Sequence, residues 1–340
     1  MSLKVGINGF GRIGRNFLRA ALERGEDIEV VGVNDLTSPH TNAHLLKYDS
    51  TQGRLPYDVS VEDGFICVGA QKMKVLAETD PKALPWSELG ADVVIESTGR
   101  FTDGQKAAAH IDAGAKKVVI SAPGTNIDAT FLVGVNDQEY DSKKHSIVSN
   151  ASCTTNCFVP MIKVLDDAFG VKNGLMTTVH AYTNDQNLLD LAHSDMRRAR
   201  AAAVNIVPSS TGAARATSLV LPEMKGRLDG SSLRVPVVDG SITDATVVLD
   251  GTFSVAEINA AFKEASSRGP LAKVLVYSEE PLVSSDIVGS PASCTFDSQL
   301  TLAMDLGNGT TLAKVFGWYD NEWGYSNRLL DLAMVVGSQL

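Results

Sequence analysis

The 340 residues are 44% hydrophobic, with interspersed charges that sum to −10, which is enough apolar material for a sizeable core and favours two domains over one. No apolar run approaches the roughly 18 residues of a membrane span. The acidic balance also argues against nucleic acid or an anionic membrane as an obligate partner. Four scattered cysteines, Cys67, Cys153, Cys157 and Cys294, are too few for a disulfide framework, and "MSLKVGINGF" lacks a basic flank and a cleavage site, so a cytoplasmic setting is expected.

In chain order, "LKVGIN" reads as a strand, residues 11–24 as a helix and "IEVVGVN" as a second strand, with both strands continuously apolar. That pattern belongs to a parallel sheet covered on both faces. It continues through "ADVVIEST", a helix over about 102–113, "KKVVIS" and "HSIVSN", with "GFICVGAQKMKVLAE" as a short strand pair. These are the units of a Rossmann-type, doubly wound α/β domain, expected over residues 1–151.

Past residue 150 the rhythm changes to a helix over about 153–169 and then longer strands. These are "LMTTVHAYT", "SSLRVPVV", "TDATVVLD", "SCTFDSQLTLAMD" and "TTLAKVFGWYD". Period-2 alternation predicts a second α+β domain over about 152–319, with a mixed or antiparallel sheet covered on one face. Residues 183–209 lack strand character, and loops of that length are usually functional or disordered. The final helix, in about 320–340, is expected to pack back on the first domain.

Gly9, Gly11 and Gly14 form G-x-G-x-x-G between the first strand and the first helix. The spacing supplies a tight turn, backbone approach to a pyrophosphate and close helix packing. In a chain with 29 glycines the pattern alone is weak; the strand-turn-helix context and Asp35 at the end of the second strand strengthen it. Asp35 suits the ribose hydroxyls of NAD and repels the extra phosphate of NADP.

"SNASCTTNC", residues 149–157, places Cys153 at the mouth of a helix, where the dipole and unpaired N–H groups favour a thiolate. The four-residue spacing to Cys157 suits neither a metal half-site nor a bridge, so no metal is expected. Cys157 reads as core packing, and Cys153 as either a small buried hydrophobe or a nucleophile. His180, in the strand that follows, offers a base if the two side chains meet. "MRRAR", residues 196–200, reads as a solvated face or an anion site.

"NGFGRIGR", "STGRF", "SNASCTTNC", "HAYTNDQ", "RRARAAA", "STGAA", "LRVP" and "WYDNEWGYS", in this order from residue 3 to about 335, resemble phosphorylating glyceraldehyde-3-phosphate dehydrogenases. The resemblance implies NAD-dependent oxidation of glyceraldehyde 3-phosphate, with inorganic phosphate as second substrate, through a hemithioacetal and then a thioester on Cys153. It implies His180 as base, and Ser152, Thr154, Thr183, Arg198, Thr211, Gly212 and Arg234 as ligands of the two phosphates. Arg197 and Arg200 then become structural ion-pair partners.

For the cofactor it implies Gly9, Gly11, Arg12, Ile13 and Gly14 at the pyrophosphate, Asp35 at the ribose, and Ser121, Asn321 and Tyr325 toward the nicotinamide. Residues 183–209 resemble the S-loop of that family, which implies a homotetramer. Thr79 stands where many relatives carry Arg near the adenine, and Ala192 where NAD-preferring ones often have Pro. The alternatives are an erythrose-4-phosphate dehydrogenase of the same fold, or a secondary surface or RNA-binding role.

Overall fold

A computed structural model describes residues 2–340. The chain divides into two units, one running to Ser152 and resuming over Tyr325–Leu340, the other Cys153–Gly324.

In unit 1, β1 (Leu3–Asn8), α1 (Arg12–Arg24) and β2 (Ile28–Asn34) open a nine-stranded sheet. β1 lies between β2 and β3 (Val93–Glu96), and β4 (Lys117–Ile120) follows β3, all in parallel. The strand order reverses at β1, so a crevice opens at the carboxyl ends of β1 and β3, where open α/β sheets take ligands. Among the described strands of this sheet only Phe65–Val68 runs against the others, pairing antiparallel with Gln71–Leu76 on one side and Val59–Glu62 on the other.

Every residue of β3 and β4 is buried, as expected of a sheet covered on both faces. Gly6 interrupts its apolar strand because Trp86 lies across it, a Cβ there coming within 2.7 Å of the indole, and Gly32 because a Cβ would come within 2.9 Å of Leu89. α2 (Gly104–Asp112) starts from an Asp103 cap that accepts the Gln105 N–H.

The last helix, α5 (Trp323–Gly337), rejoins unit 1 from Tyr325 onward. Arg24 pairs with Asp331 at 2.6 Å, and a Cβ on Gly337 would meet Leu3 at 2.6 Å.

Unit 2 begins with α3 (Cys153–Phe169), followed by β5 (Val171–Ala181), β6 (Leu228–Val235), β7 (Ser241–Leu249) and β8 (Thr311–Tyr319). β5 runs parallel to β6 and antiparallel to β7, and β7 is antiparallel to β8, so the sheet is mixed. β7 and β8 alternate strictly between buried and half-buried residues. The buried face packs on α3, where Cys157 Sγ lies 3.4 Å from the Gly317 carbonyl and a Cβ on Gly317 would strike Met161 and Cys294. Cys157 is therefore core.

Three readings of the sequence change here. "SCTFDSQLTLAMD" is not one strand: Cys294–Asp297 and Leu302–Asp305 are separated by a 3-10 turn over Ser298–Leu300, started by the Asp297 carboxylate accepting the Gln299 N–H. Residues 207–209, read as loop, belong to an edge strand, Val207–Ser210, that pairs with β6. α4 (Val255–Ser267) was not anticipated, although its Ser254/Glu257 capping box is a sequence-level start signal. No helix among the described residues is long and apolar enough to cross a membrane.

Candidate active site

In unit 1 the glycines act through the room they leave. Gly9 has φ +93°, and a Cβ there would lie 2.7 Å from the backbone of Ser97 and Thr98; a Cβ on Gly14 would lie 2.3 Å from the Gly9 carbonyl. Gly11 meets nothing within 4 Å. It forms the N-cap of α1 without a side-chain cap, so first-turn N–H groups face a cradle that a Cβ would fill, and an anion fits there.

Ile13 lies in that first turn. The Arg12 side chain forms an ion pair with Asp49, so its place beside the turn comes from its backbone. Asp35 accepts the Phe10 N–H at 3.1 Å and the Thr37 N–H at 3.1 Å, which orients its carboxylate beside the glycine turn. These features fit a dinucleotide. Ser121 follows β4 and donates its N–H to the Glu96 carbonyl.

A buried network that sequence reasoning missed sits under the crevice. Glu96 accepts Asn8 Nδ2–H at 2.6 Å, His110 Nε2–H at 2.9 Å, and both the N–H and hydroxyl of Thr98. The Trp86 indole donates to His110 Nδ1 at 3.0 Å, which fixes the imidazole as the Nε2–H tautomer. Asn34 donates to Asn8 Oδ1 at 2.7 Å, so the ends of β1, β2 and β3 share one chain of polar contacts.

The chain enters α3 through a strained residue. Ala151 has φ +55°, costly for a residue with a Cβ, and its conformation is held by its N–H on Ser149 Oγ and by the Tyr325 hydroxyl on its carbonyl, both at 2.9 Å. Ser152 follows, then Cys153 as the first residue of α3.

In unit 2, Cys153 Sγ is 3.4 Å from His180 Nε2. His180 is the penultimate residue of β5, and the parallel register places Arg234 beside it. His180 Nδ1 is 2.7 Å from the Ala181 carbonyl, which only accepts, and 3.0 Å from Arg234 Nη1, which only donates; the shorter contact puts the hydrogen on Nδ1 and leaves Nε2 as the acceptor for the thiol, while Arg234 Nη1 has Thr183 Oγ1 and the Ala181 carbonyl as acceptors. Burial, and then the Arg234 charge, push the imidazole down to about 3, so the ring is neutral.

The expected thiolate is corrected by the same burial. Desolvation pushes the Cys153 thiol up, outweighing Arg234 and the Thr154 hydrogen bonds that pull it down. The proton rests on sulfur, and a base must take it.

Arg234 Nη1 donates to Thr183 Oγ1 at 2.9 Å. Arg198 pairs with Asp185 at 2.6 Å, and the Thr183 hydroxyl also donates to Asp185. Two guanidiniums and a hydroxyl thus converge near His180, a donor set suited to a phosphate. Thr211 accepts the Ala213 N–H, and Gly212 presents backbone that a Cβ would not crowd. Thr154 is buried, its hydroxyl 2.9 Å from that of Tyr319, which in turn lies 2.7 Å from Thr178; Tyr319 is a hub that motif reading passed over. Arg200 pairs with Asp190, whereas the exposed Arg197 makes no ion pair among the described residues, contrary to the structural role expected of it.

Asn321 follows β8. Its Oδ1 accepts the Ser241 hydroxyl at 2.7 Å, and Ser241 Oγ accepts the Ala181 N–H at 3.0 Å, which leaves the Asn321 Nδ2 as its donor.

Residues 3–104 match the family model described as glyceraldehyde 3-phosphate dehydrogenase, NAD binding domain, and residues 152–321 match its C-terminal domain. Among curated proteins, the glyceraldehyde-3-phosphate dehydrogenase of Streptomyces coelicolor is 58% identical over 340 residues, covering 100% of both chains. That of Mycobacterium avium is 60% identical over 346 aligned residues, again covering 100% of each.

Proposed function

This chain belongs to the glyceraldehyde-3-phosphate dehydrogenase family, and from that premise we propose that it oxidises glyceraldehyde 3-phosphate with NAD and conserves the product as an acyl phosphate. Unit 1 is the NAD-binding domain in this reading, and unit 2 the catalytic domain.

The carrying observation is the 3.4 Å contact between Cys153 Sγ and a neutral His180 Nε2, with Arg234 alongside. Sγ attacks the aldehyde carbon as its proton passes to Nε2, and the carbonyl oxygen becomes the hydroxyl of a hemithioacetal. His180 then holds the proton of that hydroxyl as the carbon is oxidised to a thioester. NAD, when bound, accepts the hydride. An oxygen of inorganic phosphate attacks the thioester carbon and Sγ leaves, so sulfur serves as nucleophile and leaving group in one cycle.

Arg198, Arg234 and Thr183 hold the substrate phosphate or the attacking one, with Ser152, Thr154, Thr211 and Gly212. Gly9, Gly11, Arg12, Ile13 and Gly14 cradle the pyrophosphate. Asp35 takes the ribose and selects NAD over NADP, while Ser121, Asn321 and Tyr325 serve the nicotinamide end. Leu188, Leu189, Leu191, Met196, Val204 and Ile206 are all exposed within residues 183–209, and apolar surface of that density supports a homotetramer. The setting is the cytoplasm.

NADH formation is measured with glyceraldehyde 3-phosphate and with erythrose 4-phosphate, each with and without inorganic phosphate. Phosphate-dependent turnover that favours the triose is expected. Phosphate-independent NADH, or a preference for the tetrose, would overturn the reading.

A further inference from the structure

Asn34 is the last residue of β2 and is buried. Its Oδ1 accepts the Glu78 N–H at 2.8 Å, and its Nδ2 donates to the Glu78 carbonyl at 2.9 Å. The side chain thus serves Glu78 as a neighbouring strand would. The same Nδ2 donates to Asn8 Oδ1 at 2.7 Å.

The polarity of this chain is forced at each step. The Glu78 N–H only donates and its carbonyl only accepts, which orients the Asn34 amide; Asn8 then offers Oδ1 to Asn34 and Nδ2 to the Glu96 carboxylate, 2.6 Å away. At the far end the Trp86 indole only donates, so His110 turns its Nε2–H to Glu96. A buried network with every member satisfied in one arrangement holds one position.

What it holds is at the surface. The strand Gln71–Leu76 runs parallel to β2, and its last carbonyl, that of Leu76, accepts the Asp35 N–H at 3.0 Å. Residues 77–80 then emerge beside Asp35 and are exposed. With the pyrophosphate at the glycine turn and the ribose at Asp35, the base extends past the carboxyl end of β2 toward that strand. Residues 77–79 are the wall it meets.

We propose that Asn34 is a positioning residue for the adenosine half of NAD: its amide, locked through Asn8 to Glu96, sets the backbone at Glu78 as the wall of the adenine site. This rests on the reading of Asp35 as the ribose ligand. Asn8 directly precedes Gly9, so the glycine turn and the wall belong to one frame. A wall of main chain also suits Thr79, whose short side chain brings neither charge nor ring to a base.

Steady-state kinetics, inhibition by ADP-ribose and amide hydrogen exchange of wild type, Asn34→Ala, Glu78→Pro and Asp35→Ala test the frame. Asn34→Ala should raise the KM for NAD and the inhibition constant of ADP-ribose together, each about tenfold. Its kcat, and its KM values for glyceraldehyde 3-phosphate and inorganic phosphate, should stay within about twofold of wild type. The Glu78 amide should exchange at least about tenfold faster in the variant. Glu78→Pro deletes the same N–H from the exposed side and leaves the buried amides in place, so it carries the test if Asn34→Ala does not fold; both constants should rise about three- to tenfold.

Unchanged NAD and ADP-ribose constants in either variant once folded, or a matching rise in the KM of the other two substrates, would overturn the positioning role. Unaltered NAD and ADP-ribose constants in Asp35→Ala would instead overturn the ribose reading.

Discussion

In unit 1 the residues assigned to NAD are mostly glycines and strand ends, and they act by where they let the backbone run. In unit 2 the assigned residues are a thiol, an imidazole, two guanidiniums and hydroxyls, and they act by what their side chains exchange. Gly9 and Gly14 are fused to the packing around the turn after β1: a Cβ on Gly9 would lie 2.7 Å from the Ser97–Thr98 backbone beyond β3, and one on Gly14 2.3 Å from the Gly9 carbonyl. Cys153 is half-buried, and its partner His180 stands next to the end of a strand whose pairing does not depend on the ring. A turn made of main chain cannot be altered without disturbing the fold, whereas a side-chain pair mounted on finished elements can.

The sharpest separation should come from Cys153→Ser. It should lower kcat at least about 10³-fold with an unchanged Tm, because the hydroxyl fills nearly the same space. His180→Asn should lower kcat/KM about 10²- to 10⁴-fold, again with the fold intact. A fall in Tm that matches either loss of rate would blur the contrast between the units.

Gly9→Ala should do the opposite. It forces a Cβ into the Ser97–Thr98 backbone at φ +93°, costing about 2 kcal/mol or more of stability, and NAD binding should fall with it. Glu96→Gln is the smallest step: one carboxylate oxygen becomes an NH₂ group facing donors from Asn8 and His110 or from Thr98. Chemical denaturation should register a loss of about 1–3 kcal/mol. An unchanged midpoint would show that the network under the crevice is less demanding than its geometry implies.

What the sequence revealed follows the same division. Continuous apolar runs and the glycine spacing exposed β1, α1 and β2, because a parallel sheet buried on both faces leaves a local signature. β7 and β8 were visible through alternation. The break between Asp297 and Leu302 was not, since the residues on either side both have strand character and the 3-10 turn depends on a single side-chain cap. Motif reading found Cys153, His180 and Arg234, but only the β5–β6 register shows why 54 residues of separation bring His180 and Arg234 together. Tyr319 and Glu96 escaped notice because their roles lie in partners distant in sequence. The thiolate expectation weighed the helix end without the burial that opposes it.

The claim that Cys153 is the nucleophile is tested most directly by titrating the protein with iodoacetate, mapping the labelled cysteine and assaying activity at each point. The expected result is one label per chain, on Cys153 ahead of Cys67, Cys157 and Cys294, with activity falling in proportion. Full labelling of Cys153 with activity retained, or inactivation that tracks another cysteine, would contradict it.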